Sequence, residues 1–151
     1  MELEKEIKQK NFRNAYHKAA INLIFTYNWL YNLHAEFLKP YNLTIQQFNI
    51  LRILRGQHPK PATIKLLKQR MLDKMSDASR IVEKLRSKGL VGRIVCEKDR
   101  RTVDVCITEK GLELLTKLDE KNNELDKIMS QLKLDEVKTL NELLDKLRDK
   151  K

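Results

Sequence analysis

Residues 76–107 read SDASRIVEKLRSKGLVGRIVCEKDRRTVDVCI, and this run predicts a short helix followed directly by a β-hairpin. Ser76 is a suitable N-cap. The helix is expected to extend to about Lys88, because Gly89 is the residue type that most often follows a helix end. The predicted buried face of this helix comprises Ile81, Val82 and Leu85.

The hairpin is predicted from two runs rich in β-branched residues, Leu90–Cys96 and Thr102–Ile107. In the second run, apolar residues occupy every other position, which is typical of a strand with one buried face. The residues between the two runs, 97–101, are all charged. We therefore expect a hairpin with a charged tip.

A second short helix precedes this run. Thr63 can cap a helix over Ile64–Met71 that buries Leu67, and Met71–Met75 is predicted to form a turn. Two short helices joined by a tight turn form a helix-turn-helix, and the hairpin that follows is then its wing.

Another helix is predicted upstream of this pair. Thr44 and Gln47 have the spacing of a capping box, and the helix that they begin is expected to end near Gly56. The next residues, Gln57–Ala62, contain two prolines and are predicted to form a loop.

Long amphipathic helices are predicted at both ends of the chain. The first covers about Glu4–Lys39 and ends before Pro40. Thr108 caps another over about Glu109–Leu132, and Asp135 opens the last. Their apolar stripes exceed what a 151-residue monomer can easily bury. A helical dimerisation region is therefore expected, with a compact monomeric bundle as the alternative.

Positive charge is concentrated in the middle of the chain. Residues 52–110 hold 16 Lys and Arg against 7 Asp and Glu, so they carry +9 of the formal net charge of +10. This is the electrostatic pattern of a protein that binds phosphate backbones, and a merely solvated charged surface is the alternative. All nine aromatic residues lie within the first 48 positions, which disfavours stacking on single strands and favours duplex DNA.

Several classes of protein are disfavoured. The longest near-apolar stretch, Ala19–Phe25, is too short to cross a bilayer, and no export signal opens the chain. Two cysteines fit the reducing cytoplasm. The three histidines have no carboxylate or cysteine at ligand spacing, and no nucleophile–base set occurs. We therefore expect no metal site, no cofactor and no enzymatic activity.

Six pieces of the chain resemble the MarR family of winged-helix transcriptional regulators. They are TIQQFNIL (44–51), TIKLL (63–67), SDASRIVEKL (76–85), KGLVGR (88–93), DRR (99–101) and ITEKG (107–111). Gly92 departs from the family pattern, which more often has a charged or polar residue there.

The resemblance implies a mainly α fold with a small β-hairpin wing, in one MarR-like domain over 1–151. Within it, 44–111 would form the winged helix-turn-helix lobe, and 1–39 with 112–151 the helical dimerisation region. The implied protein is a homodimeric, sequence-specific regulator of transcription that binds double-stranded DNA at a near-palindromic operator. Such proteins are usually repressors released by a small molecule or an oxidant.

The candidate DNA-contacting residues on the two short helices are Thr63, Lys65, Lys68, Ser76, Asp77, Ser79, Arg80 and Lys84. Arg80 can donate two hydrogen bonds to a guanine. Lys65 and Lys68 are either phosphate contacts or a solvated face, and Ser76 is either a cap or a contact. For Asp77, a charge that stabilises the helix N-terminus is favoured over a cytosine acceptor.

The charged tip supplies further candidates. Arg101, followed by Arg100, is the best candidate for a narrow minor groove, and Lys98 is a phosphate neighbour. Asp99 is expected to pair with an arginine and so stabilise the wing. An exposed loop that happens to be charged is the alternative.

Two further features leave alternatives open. Tyr27, Tyr31, His34 and Phe37 are candidates for a pocket that takes a small aromatic effector, although simple packing is favoured. Cys96 and Cys106 lie too far apart along the predicted hairpin for a disulfide. The alternatives to the leading hypothesis are a cysteine-based redox-sensing regulator and a helical scaffold whose winged lobe binds protein.

Overall fold

A computed structural model describes residues 1–95 and 103–149 of the chain, and these form two compact units, Met1–Phe48 and Asn49–Lys151. The elements are α1 (Leu3–Glu6), α2 (Ala15–Leu38), a 3-10 turn (Lys39–Tyr41), α3 (Ile45–Gln57), β1 (Ala62–Thr63), α4 (Ile64–Arg70), α5 (Ala78–Ser87), β2 (Val91–Val95), β3 (Val103–Ile107), α6 (Glu109–Asp119), α7 (Asn122–Met129) and α8 (Leu134–Arg148). None of the helices in the described ranges is long and apolar enough to span a membrane.

The first helix does not run unbroken from Glu4, so that prediction is wrong. Lys8 has a positive φ of 53°, which ends α1, and α2 begins only after Asn14. The Asn14 side chain accepts a hydrogen bond from the backbone N–H of His17 at 2.9 Å, and this N-cap sets the start of α2. The predicted end before Pro40 is confirmed, because α2 ends at Leu38.

The capping box that begins α3 is confirmed. The backbone N–H of Gln47 donates to Thr44 Oγ1 at 3.1 Å, and the backbone N–H of Thr44 donates to Gln47 Oε1 at 3.2 Å. These two bonds satisfy donors that the first turn of a helix leaves free.

The helix-turn-helix consists of α4 and α5, and one of its two predicted caps is wrong. Thr63 Oγ1 accepts from the backbone N–H of Leu66 at 3.1 Å, as expected of a cap. At α5, however, the N-cap is Asp77 and not Ser76, because Asp77 Oδ1 accepts from the backbone N–H of Arg80 at 3.1 Å. Gly89, with φ of 72°, follows the end of α5 as predicted.

The predicted hairpin is present and belongs to a larger sheet. Strands β2 and β3 pair antiparallel from Val91 opposite Ile107 to Val95 opposite Val103. A third strand, β1, pairs with the other edge of β3 and places Ala62 opposite Val105, so the order is β1-β3-β2. The loop predicted over Gln57–Ala62 therefore ends in a strand, which has only two residues and hence no readable period.

The C-terminal helices are shorter than predicted. Thr108 caps α6, since its Oγ1 accepts from the backbone N–H of Gly111 at 3.2 Å, but α6 ends at Asp119 and α7 is a separate helix. The single helix predicted over Glu109–Leu132 is therefore wrong. The last helix begins at Leu134, one residue before the predicted Asp135, and Glu136 accepts from the backbone N–H of Lys133 at 2.7 Å.

The core of the Asn49–Lys151 unit joins α5 to the sheet and to α6. Its side chains with at most 1% exposure include Leu51, Leu54, Leu67, Met71, Val82, Leu85, Val105, Leu115 and Leu118. Gly111 lies at a close approach in this core, because a Cβ there would be 2.5 Å from the carbonyl oxygen of Leu90. This packing holds α5 in place against α4 and β2.

Candidate nucleic-acid interface

The N-terminal half of α5 presents polar side chains on one face and buries the other. Ala78, Val82 and Leu85 are buried, whereas Arg80 and Lys84 are exposed. Ser79 is exposed as well. A helix anchored in this way can offer its first two turns to a partner without loss of core contacts.

The roles predicted for the two residues that precede α5 are now distinguishable. Asp77 caps the helix, so its carboxylate lies at the helix N-terminus, where a negative charge is favourable. Ser76 is half-buried, and its hydroxyl donates to Asp73 Oδ2 at 2.8 Å. Ser76 is therefore part of the preceding turn and not a cap.

The turn between α4 and α5 contains exposed side chains that the sequence analysis did not single out. Met71 is buried, but Leu72 is 84% exposed and Met75 is 93% exposed. Apolar residues in a turn next to a helix start give no periodic signal, so only the structure identifies them.

Helix α4 supports α5 and carries the two predicted phosphate contacts. Lys65 and Lys68 are exposed on α4, while Leu67 is fully buried beneath them. Thr63 is half-buried and its hydroxyl oxygen is used in the cap. The arrangement therefore brings Lys65, Lys68 and the start of α5 into one helix pair.

An ion pair joins α5 to the first wing strand. Glu83 Oε1 lies 2.8 Å from Arg93 Nη2, and Glu83 Oε2 lies 3.3 Å from Arg86 Nη2. No sequence pattern predicts this cluster, because Glu83 and Arg93 lie on different elements and only the fold brings them together. The ion pair adds to the packing contacts between α5 and β2.

Positive charge also accumulates toward the C-terminal end of α5. Burial lowers the pKa of Lys88, and the nearby Lys84 ammonium lowers it further. Lys110 donates to the carbonyl oxygen of Lys88 at 2.9 Å. The fold thus brings Lys84 and Lys110 close to Lys88, and their positive charges together raise the local electrostatic potential.

The charged tip lies outside the described residues. This applies to Lys98, Asp99, Arg100 and Arg101, and also to Cys96. The described part of the hairpin ends with the pair Val95 and Val103. On β3, Cys106 is half-buried opposite Gly92, and its thiol donates to the carbonyl oxygen of Gly92 at 3.8 Å.

The candidate effector residues lie in the Met1–Phe48 unit. The rings of Tyr27 and Tyr31 are 5.9 Å apart between centroids, and Gln46 Nε2 donates to Tyr31 Oη at 3.5 Å. His34 and Phe37 are half-buried, and burial lowers the pKa of His34 below its ordinary value. Burial thus favours the neutral form of the His34 imidazole.

Within the ranges that the structure describes, no group of three His, Cys, Asp or Glu side chains is arranged to hold a metal ion.

Comparison with protein families gives a match over the middle of the chain. A family model described as "Transcriptional regulator SarA/Rot" matches residues 32–118, which include α3 to α5 and the hairpin. The HTH-type transcriptional regulator MgrA of Staphylococcus aureus is 32% identical over 114 residues, which is 74% of each chain.

Solved structures give the same fold. A MarR transcription factor from Planctomyces limnophilus is 29% identical, with a TM-score of 0.69, and the match covers 89% of this chain and 98% of that one. A mutant of MarR from E. coli in complex with operator DNA is 26% identical, with a TM-score of 0.75, and the match covers 99% and 100% of the two chains.

Proposed function

This chain belongs to the SarA/Rot family of transcriptional regulators and has the winged-helix fold of MarR proteins. From this premise, we propose that it is a sequence-specific repressor that binds double-stranded DNA as a homodimer. Its operator is near-palindromic, and a small aromatic effector releases it. The family members found are regulators of transcription and not enzymes.

The observation that carries the proposal is the presentation of α5. Arg80 is exposed on the first turn of a helix whose opposite face is buried and whose N-terminus is capped by Asp77. An arginine in that position reaches the O6 and N7 atoms of a guanine when the helix N-terminus enters a major groove. The likeness to a mutant of MarR from E. coli that was solved in complex with operator DNA supports duplex DNA as the partner.

Phosphate contacts surround this base-reading position. Lys65 and Lys68 on α4 and Lys84 on α5 neutralise phosphates, and Ser79 donates to the backbone or to a base edge. For the charged residues between β2 and β3, which lie outside the described ranges, we propose the roles that the sequence predicts: Arg101, followed by Arg100, binds in the flanking minor groove, and Lys98 contacts a phosphate.

The apolar side chains that each unit leaves exposed support the proposed dimer. On α8, Leu143 is 58% and Leu147 is 66% exposed, and on α2 Ile24 is 63% exposed. Two copies would place their α5 helices in successive major grooves about 34 Å apart. A duplex with both half-sites then binds more tightly than a duplex with one, because the second contact forms at high effective concentration.

Release by an effector rests on the aromatic residues of α2. Tyr27 and Tyr31 offer two rings in contact, and Phe37 offers a further ring on the same helix. His34 and the Tyr31 hydroxyl offer hydrogen-bonding groups. This combination suits a small aromatic acid. A screen of such acids for release of the bound duplex tests this part of the proposal.

Binding-site selection with the purified protein, followed by titration of the selected duplex, tests DNA recognition. Arg80→Ala should lower affinity about 5- to 150-fold per half-site and relax the preference at one base pair. Lys65→Ala should weaken all duplexes alike and reduce the slope of log K against log salt by about 1 per half-site. Lys117→Ala, an exposed change on α6, is the matched control.

Two outcomes would contradict the proposal. If Arg80→Ala kept the full sequence preference, α5 would not read the bases through this residue. If no duplex bound even at low salt, the winged lobe would serve protein binding instead, as in the scaffold alternative.

A further inference from the structure

The turn between α4 and α5 presents two apolar side chains in the most basic part of the chain. Leu72 is 84% and Met75 is 93% exposed, and within the described residues 52–95 the other large apolar side chain with high exposure is Ile94, at 48%. Single exposed apolar residues are common on protein surfaces. Two in one short turn, next to the helix that we propose to read DNA, indicate a surface that binds a partner.

Hydrogen bonds fix the conformation of this turn. Asp73 Oδ1 accepts from the backbone N–H of Met75 at 2.9 Å, and Asp73 Oδ2 accepts from the Ser76 hydroxyl at 2.8 Å. Asn49 Oδ1 accepts from the backbone N–H of Leu72 at 2.9 Å. The backbone at Met75 is thus fixed, with the side chain exposed, before any partner binds. This lowers the backbone part of the entropic cost of a contact there.

The surroundings of Met75 indicate what the partner is. Lys68, Lys74 and Arg80 are all exposed on the same helix-turn-helix. The two acidic residues nearest in the chain, Asp73 and Asp77, are engaged in the hydrogen bonds of the turn and of the α5 cap. A partner that accepts an apolar side chain among cations must combine negative charge with small apolar groups. The major groove of DNA does so, because phosphates border it and the 5-methyl group of thymine projects into it.

Chain geometry keeps Met75 close to the start of α5. It lies three residues before Ala78, the first residue of α5, and three residues of extended chain span at most about 10 Å. This is about three base pairs of B-DNA. The flexible thioether side chain can adapt to a methyl group anywhere in this range.

We propose that Met75 contacts the 5-methyl group of a thymine in each half-site and so adds a second specificity determinant beside Arg80. The proposal rests on the duplex binding proposed above. It assigns a base-reading role to the turn in addition to the recognition helix.

Replacement of thymine by deoxyuridine tests the contact, since deoxyuridine lacks only the 5-methyl group. In the selected operator, each symmetry-related pair of thymines is replaced in turn, and binding is measured by fluorescence anisotropy. For the wild type, one pair should cost about fourfold per half-site, or about 15-fold for both, the cost of one exposed methyl group at each. Met75→Ala should lose similar affinity for the unmodified operator and no longer distinguish thymine from deoxyuridine at that pair.

Two controls separate this contact from general effects. Met75→Leu keeps an apolar side chain of similar size and should retain the discrimination. Leu72→Ala removes the other exposed side chain of the turn and should retain it as well. Because Met75 is exposed, thermal unfolding of both Met75 variants should match that of the wild type.

The inference is overturned if no thymine pair is sensitive to replacement, or if Met75→Ala still discriminates at the sensitive pair. Failure of the underlying function would look different. In that case the wild type would bind the selected and the scrambled duplex equally, whatever bases they contain.

Discussion

Asp77 has two opposing effects at the residue scale. Its carboxylate caps α5 through the backbone N–H of Arg80, which stabilises the helix. The same negative charge lies at the end of the helix that we propose to enter the major groove, where it weakens long-range attraction to a polyanion. The short-range hydrogen bond explains why an acidic residue is tolerated in the basic segment.

Substitution of Asp77 should separate these two effects. Asp77→Ala should lower the free energy of unfolding by about 1 kcal/mol, whereas Asp77→Asn should retain most of it, because an amide oxygen caps nearly as well. Asp77→Asn should in addition bind nonspecific duplexes more tightly at low salt, since a repulsive charge is gone. Urea unfolding at fixed protein concentration and duplex titration measure the two quantities. Equal stability of all three proteins would show that the cap contributes nothing.

At the scale of elements, a few side chains connect segments far apart in the chain. Glu83 connects α5 to β2 through Arg93, and Arg55 of α3 is paired with Asp119 at the end of α6. One of the two hydrogen bonds between Arg55 and Asp119 is 3.2 Å long, and a second joins Nη1 to Oδ2. The Asp119 side chain also accepts from Asn122 at 3.4 Å, so the break between α6 and α7 coincides with this junction.

The Arg55–Asp119 pair predicts a pH dependence of stability. The hydrogen bond from Arg55 lowers the pKa of Asp119 below its ordinary value. The pair therefore stabilises the fold above the pKa of an unfolded aspartate, about 3.9, and this contribution is lost as the pH falls through the lower folded value. Because the pair is partly exposed, Asp119→Asn should cost at most about 1 kcal/mol at pH 7.

Urea unfolding of the wild type and Asp119→Asn between pH 7 and pH 3 measures this effect. The difference between the two proteins should shrink as the pH falls below about 4. Arg55→Gln and the double variant complete the cycle that isolates the pair. A difference that stayed constant over the whole pH range would mean that packing, and not the charge of Asp119, is responsible.

At the scale of the whole molecule, the proposed function requires two copies of the chain. Each unit exposes large apolar side chains, among them Ile24 and Tyr27 in one and Leu143 and Leu147 in the other. Such surface is costly in water, and association of two protomers is the simplest way to remove it. A palindromic operator then gains affinity from the second half-site.

Charged substitutions on α8 test this dimer. The double variant Leu143→Glu, Leu147→Glu should raise the dimer dissociation constant about 100-fold or more, because four apolar side chains per dimer are replaced by charges. It should also bind the full operator no better than a half-site. Analytical ultracentrifugation and duplex titration measure both. The control variant Asn141→Glu adds charge at an exposed polar position of the same helix and should remain dimeric. If both variants dissociated alike, the cause would be disruption of α8 and not loss of a dimer contact.

Local rules explain most of what could be predicted. The structure confirms the caps predicted at Thr44, Thr63 and Thr108 and the glycine predicted after α5. Each depends on residues at most four positions apart. The cap predicted at Ser76 is wrong, because residue type alone does not show that the Ser76 hydroxyl donates to Asp73 in the preceding turn, which leaves Asp77 to cap α5.

The sequence by itself therefore determined the order of helices and hairpin, the family and the basic helix pair, because periodicity, capping and charge are properties of neighbouring residues. Only the tertiary structure decided that β1 joins the sheet, that Glu83 meets Arg93, and that Leu72 and Met75 stay exposed. These features depend on pairings between residues ten or more positions apart or on the absence of packing partners. No local pattern encodes such pairings, since their free energy arises only when the chain is folded.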